Sequence, residues 1–339
     1  MSGDMEITDA VRAAQSVSIG LFGPSGCGKT LSALRLAIGI QSVAGGNIYL
    51  IDTEARRAKD YAPKEGEKAD NINTFAFKHV DLLPPFGSDR YLEAIEKCIA
   101  HGERGPRTII IDSLSHEHES EGGMLEQFEA ELARLGGGDK NNARAWIRPK
   151  AKRRKLVVRM EQMRDVNFIL TFRAADQTKP GKDDTGKNVF VHMGFMPIAG
   201  REFVYCTKAC AFLPPSADGV PVWNPEYVGE KMMRRLPKFL APILNDGKPL
   251  SEEHGRKIAE WARGGASALP KAPAGQAAGK SIEERAELLK GEMKKSATMA
   301  DLQKLWNHSK ARSIREALDP DALDALTLFY EGRIGELEG

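Results

Sequence analysis

Apolar residues gather in short runs along the chain, at residues 17–22 (VSIGLF), 47–51 (NIYLI), 108–111 (TIII) and 166–172 (VNFILTF), with β-branched residues prominent among them. Most of the intervening stretches have helical periodicity or helix-forming composition, as in LSALRLAIGI after residue 30. Strands alternating with helices predict an α/β domain whose central sheet is mostly parallel and covered by helices. A further strand-like stretch spans residues 203–213. It follows residues 174–200, a polar, glycine-containing segment that reads as a long loop or a hairpin.

Periodicity stops near residue 264. In residues 264–280 (GGASALPKAPAGQAAGK), 12 of 17 residues are Gly, Ala or Pro, so the segment has almost nothing to bury and reads as a flexible linker. The expected organisation is therefore a core over residues 1–263, the linker, and a small helical domain over residues 281–339. Ser281 with Glu284, Thr298 with Asp301, and Asp319–Pro320 each mark a helix start. Apolar positions such as Leu302, Trp306, Leu326 and Phe329 suit either a self-packed bundle or a partner-binding face.

Composition narrows the picture only slightly. The chain is 41% hydrophobic and 28% charged with a formal net charge of +2, which is ordinary for a soluble globular protein. Its four cysteines form no CxxC pair and no leading apolar segment resembles a signal peptide, so a bacterial or host-cell cytoplasm is the expected compartment. No apolar run approaches the roughly 20 residues of a membrane-spanning helix, and no membrane association is expected.

The strongest chemical signal is GPSGCGKT, formed by Gly23, Pro24, Ser25, Gly26, Cys27, Gly28, Lys29 and Thr30, set where a predicted strand turns into a helix. Gly23, Gly26 and Gly28 suit close backbone approach to phosphate oxygens, while successive amides and the helix N-terminus add positive partial charge. Lys29 is expected to reach the β- and γ-phosphates of ATP, and the Thr30 hydroxyl to ligate Mg²⁺. Asp112, which ends the apolar strand TIIID, is the expected second metal contact, in the Walker B arrangement. Cys27 reads as a small filler. Glu54, in the sequence IDTEA at the end of a strand expected to neighbour the phosphate-loop strand, is the candidate for activating water.

Strand–GPxxxGKT–helix, then a strand ending DTE, then a strand ending IIIDS, resembles the RecA/Rad-type recombinase core over residues 15–263. The resemblance implies a RecA-like P-loop fold, ATP hydrolysis with Lys29, Glu54 and Asp112 as catalytic residues, and Glu54 as the base. AAA+ proteins usually place their glutamate directly after the Walker B aspartate, where this chain has Ser113, and that departure favours the RecA-like reading. Among RecA-like proteins the chain looks most similar to phage-encoded Sak-type single-strand-annealing ATPases. Its tail resembles, more distantly, the helical tails of Erf- and RecT-type recombination proteins.

RecA-like proteins hold DNA on two segments that follow the Walker B strand and the next one. Here residues 115–131 carry 6 Glu and no Lys or Arg, whereas residues 144–164 carry 9 basic residues against one acid. Arg148, Lys152, Arg153, Lys155 and Arg159 are the candidate DNA contacts, with Trp146 available for base stacking. The competing reading is a solvated helix that balances the preceding glutamates. Residues 174–200 match the second DNA segment in position. Arg173, at its root, is a candidate γ-phosphate sensor, and Lys231 and Arg235 are candidates for contacting a neighbouring subunit's nucleotide. The run HEHE at residues 116–119 reads as an exposed acidic loop rather than a metal site.

These features imply an oligomeric ATPase, ring or filament, that binds single-stranded DNA in recombination or strand annealing, with a single-strand-binding protein or another recombination protein as a possible partner of the tail. A helicase-loader or partition-like ATPase that recruits a protein is the alternative. A small-molecule phosphotransferase has no use for the basic segment or the tail.

Overall fold

The computed structural model describes residues 12, 14–102, 107–182, 186–224, 226–264, 282–296, 298–308, 311, 314–315 and 320–338. The chain divides into two compact units, Met1–Pro270 and Lys271–Gly339. Most of the expected linker lies outside the described residues, as do the start signals at Ser281 and Asp319.

The first unit is built on a seven-stranded sheet: β1 (Ser18–Gly23), β2 (Asn47–Asp52), β3 (Lys78–Asp81), β4 (Arg107–Asp112), β5 (Val166–Lys182), β6 (Asn188–Pro197) and β7 (Ala209–Phe212). Six strands run in the order β3-β2-β4-β5-β1-β7, all pairs parallel, and β6 pairs antiparallel with β5. This is the mostly parallel α/β sheet that the alternation of runs predicts.

Both faces of the sheet are covered, so β4 buries all its residues, β1 and β2 all but their first and β5 its first seven, and these stretches read as continuous apolar runs rather than alternating ones. Ile109 and Ile111 pack on one face with Tyr91 of α2 (Ser88–Ala100) and with Leu156 of the later helix Ile147–Gln162. Ile110 packs on the other face with Leu34 and Ile40 of α1 (Lys29–Ala44) and Ile258 of the helix Glu252–Ala262. The last two helices touch backbone to backbone. A Cβ on Gly39 would lie 1.9 Å from the Glu252 carbonyl oxygen, and one on Gly255 would lie 2.1 Å from that of Leu36, so only glycine fits at either crossing point. Arg35 closes the crossing with a two-pronged bond to Glu252 at 2.8 and 2.9 Å.

One element differs from the sequence expectations, one settles an alternative they left open, and one was not anticipated. Residues 203–213 do not form one strand: Arg201–Tyr205 is a helical turn, and β7 begins only at Ala209. Of the two forms expected for residues 174–200 the structure takes the hairpin, because β5 runs on past the sheet to Lys182 and β6 returns against it. The edge strand β3 (KHVD) is short and half-buried, without an apolar run to announce it.

Between β4 and β5 the chain forms α3 (Ser115–Glu119), α4 (Met124–Arg134) and α5 (Ile147–Gln162), and α6 (Glu252–Ala262) follows the sheet. In the second unit, α7 (Ile282–Lys294), α8 (Met299–Asn307) and α9 (Pro320–Glu338) bury Leu289, Met293, Leu302 and Leu326 in a cluster of their own. Thr298 caps α8 by accepting from the Asp301 amide. Among the described residues no helix is long and apolar enough to cross a membrane.

Candidate nucleotide site

The phosphate loop leaves β1 at Gly23 and enters α1 at Lys29. Gly26 and Gly28 take φ of 81° and 90°, in the left-handed region that favours glycine. Gly23 serves packing instead: a Cβ there would lie 2.1 Å from the Leu213 carbonyl oxygen. No side chain caps the N-terminus of α1, so its first amides remain donors for an anion. The Lys29 ammonium donates to the carbonyls of Gly23 and Pro24 at 3.0 and 2.6 Å. Cys27 is fully buried beneath the loop, as a filler would be.

Asp112 ends β4 with its carboxylate buried. Thr30 Oγ1 donates to Oδ2 at 2.6 Å, and Thr171 Oγ1 of β5 donates to Oδ1 at 2.5 Å. Burial pushes the Asp112 carboxyl above its ordinary range, with the two hydroxyl bonds opposing the shift. The touching hydroxyl and carboxylate oxygens of Thr30 and Asp112 are the hard ligands that Mg²⁺ takes, and they fit it.

The strand carrying Glu54 is not beside the phosphate-loop strand, as the sequence suggested. β4 and β5 lie between β2 and β1. Glu54 nevertheless reaches the site, because β2 and β4 are neighbours whose ends are tied together. The Thr53 amide donates to the Asp112 carbonyl at 2.8 Å, and the Ser113 amide donates to Thr53 Oγ1 at 2.8 Å. Asp52 then pins the following turn, accepting from the amides of Glu54 at 2.8 Å and Ala58 at 3.2 Å. Ala55 and Arg56 hold φ of 56° and 67° in that turn, a left-handed backbone that non-glycine residues seldom adopt.

Glu54 meets Arg173, from the point where β5 leaves the sheet, through Nε at 2.8 Å and Nη2 at 2.5 Å. Burial raises the Glu54 carboxyl, but the bonds and charge of Arg173 outweigh it and hold the carboxyl below its ordinary range. Ser113 Oγ donates to Glu54 at 3.2 Å, and His116 Nε2 lies 3.8 Å away. Lys29, Thr30, Glu54, Asp112 and Arg173 all line one cleft of about 630 Å³. Arg57, Tyr61 and Glu119 line it as well. Arg57 and Tyr61 are not singled out by the sequence, where their only signal is position just after DTE, and Glu119 enters only as part of the HEHE run.

The candidate DNA helix α5 has a different environment. Arg153 is 4% exposed and donates to Glu117 of α3 at 2.7–3.2 Å, so it is a core ion pair and does not face a polyanion. Arg148 pairs with Glu131 at 3.0 Å, Lys152 with Asp89 at 2.9 Å, and Arg159 with Glu96 at 2.6 Å. Lys155 is exposed. Trp146 stacks on Phe128 with ring centroids 4.2 Å apart, so its base-stacking face is already used. The HEHE run is not an exposed loop: His116 is 7% and Glu117 0% exposed, because Glu117 is the buried partner of Arg153 and of Ser88. Neither Lys231 nor Arg235 lines the cleft. Arg235 donates to the carbonyls of Tyr205 and Thr207 at 3.0 and 3.1 Å.

Compared with protein families, residues 15–201, more than half of the chain, match the model of a family described as AAA domain. A search of curated proteins finds no match.

Proposed function

The chain belongs to the AAA domain family and is a P-loop ATPase, and from that premise we propose that it couples Mg²⁺-dependent ATP hydrolysis to engagement of single-stranded DNA by the β5–β6 hairpin. Mg²⁺, when bound, would neutralise charge on the phosphates. Lys29 and the loop amides bind and orient the phosphates, Thr30 and Asp112 hold the metal, and Glu54 orients or deprotonates the attacking water. Arg173 holds Glu54 in an ion pair and competes with water for its carboxylate. A γ-phosphate that draws the guanidinium to itself frees Glu54 to act, which makes Arg173 both the sensor and the restraint.

The observation that carries the coupling is the continuity of β5. Thr171 touches Asp112, Arg173 touches Glu54, and residues 174–182 of the same strand pair with β6 in the arm. Any change in the Arg173 backbone is passed directly to the hairpin, whose Phe190 is 79% exposed and suited to base stacking. The RecA-like and Sak-type resemblance supports recombination or annealing as the setting and a ring or filament as the working form. Basal and oligo(dT)-stimulated turnover test the coupling. Stimulation in the natural chain that is lost in Phe190→Ala with basal turnover intact is expected; turnover indifferent to DNA would overturn it.

The pairing of Arg148, Lys152, Arg153 and Arg159 with acids of the fold favours a second reading, an ATPase of the helicase-loader or partition type whose arm engages a protein. Hydrolysis stimulated by a protein partner and not by DNA would select it.

A further inference from the structure

A second concentration of positive charge lies at the other end of the sheet. The phosphate loop follows the carboxyl end of β1, whereas Gln15 and Ser16 precede its amino end and Lys208 precedes the parallel strand β7. A six-residue strand spans about 20 Å, so the two regions are separate surfaces. Gln15, Lys208, Arg235, Pro237, Phe239 and Trp261 are among the residues lining a cavity of about 540 Å³ there.

Its cations differ from those of α5 in their partners. The Lys208 ammonium donates to Gln15 Oε1 at 2.8 Å and to the Ser16 carbonyl at 2.6 Å. Arg235 donates to two carbonyls, and Arg12 donates to the Trp261 carbonyl at 2.6 Å. All these acceptors are uncharged. Lys238 is exposed beside Phe239. The nearby acids of α6, Glu253 and Glu260, bond Arg256 instead, and Glu230 bonds Arg234. Burial holds Lys208 below the ordinary lysine range.

Aromatic surface is interleaved with this charge. Phe239 and Trp261 stack with centroids 4.4 Å apart and planes 6° from parallel. Arg12 and Lys208 lie over the Trp261 ring at 5.0 and 5.5 Å. Phe239 keeps 37% of its surface exposed. Cations that meet no carboxylate among the described residues, beside an open aromatic face, are what an unpaired polynucleotide requires, phosphates on one side and a base on the other.

We infer that the Arg12, Lys208, Arg235, Lys238 and Phe239 surface is a second contact for single-stranded nucleic acid, remote from the nucleotide cleft. The inference rests on the reading above that the polymer is single-stranded nucleic acid, but on a different surface from the hairpin. Binding of labelled oligo(dT) and oligo(U) to the full chain by fluorescence anisotropy, at low and moderate salt, separates the two. Arg235→Gln with Lys238→Gln should weaken binding about tenfold and reduce the salt slope by about 2. Phe239→Leu, which keeps the packing, should weaken it at least about fivefold. Lys238→Glu, at an exposed position that folding does not need, should weaken it as well.

Variants here that bind like the natural chain, while Phe190→Ala does not, would overturn this inference and leave the hairpin reading standing. The reverse pattern would support this surface and remove the hairpin. No binding by the natural chain would overturn both. Equal binding of polyglutamate, insensitive to Phe239→Leu, would overturn the assignment to nucleic acid.

Discussion

The helix α5 and the nucleotide cleft are both dense in charge, and they use it in opposite ways. On α5, Arg148, Lys152, Arg153 and Arg159 each face a carboxylate contributed by α2, α3 or α4. In the cleft, the Lys29 ammonium and the first amides of α1 meet carbonyls or remain uncapped, while Asp112 is held by two hydroxyls. Charge that has been matched within the fold is not free for a polyanion; charge that has not is available to a ligand. A count of basic residues along the chain cannot tell these cases apart, because the matching acids lie on other elements.

The comparison breaks first at Lys29. Lys29→Ala should lower ATP affinity by at least about a hundredfold, the scale of losing a charge-assisted phosphate contact, with the unfolding midpoint nearly unchanged. Labelled-nucleotide titration and thermal melts check both halves. On α5 the largest effect should be at the buried pair. Arg153→Met leaves Glu117 buried and unpaired, which costs about 3–5 kcal/mol of stability in denaturant unfolding. Loss of nucleic-acid binding without loss of stability would contradict the structural role given to Arg153.

Arg173 lies between the two cases, since its partner Glu54 is also a candidate reactive group. In Arg173→Gln the burial of Glu54 is no longer opposed by a guanidinium, so its carboxyl rises and protonates at higher pH. A carboxylate acts as a base only when ionised, so the acid limb of the kcat profile should move to higher pH. An unmoved limb would separate Arg173 from the base. The smallest effects are expected at the exposed α5 pairs: Arg148→Ala and Lys152→Ala should leave the melting temperature nearly unchanged, and by this account should leave oligo(dT) binding unchanged too.

Much of the core was legible because its signals are local. A buried parallel strand is a continuous apolar run, and GPSGCGKT, DTE and IIID mark three of the strand ends without reference to the rest of the chain. Strand order was not legible in the same way: Glu54 was expected beside the loop strand, but β4 and β5 intervene, and only the tie between Thr53 and Asp112 brings it to the site. The hairpin was half-visible, because Thr178, Lys179 and Lys182 interrupt its apolar pattern and an arm outside the sheet need not alternate strictly. Of the surface around Phe239 and Trp261 only the basic residue Arg235 was singled out, and for another role; its assembly was hidden, since it joins residues more than 240 positions apart in the chain.

Single-turnover hydrolysis in Glu54→Gln tests the central claim most directly. Glutamine keeps the shape and can still accept a bond from Arg173, so ATP should bind with nearly natural affinity while the chemical step slows by about 10²–10⁴-fold. Hydrolysis at the natural rate with intact binding would contradict the account and remove Glu54 from the reaction.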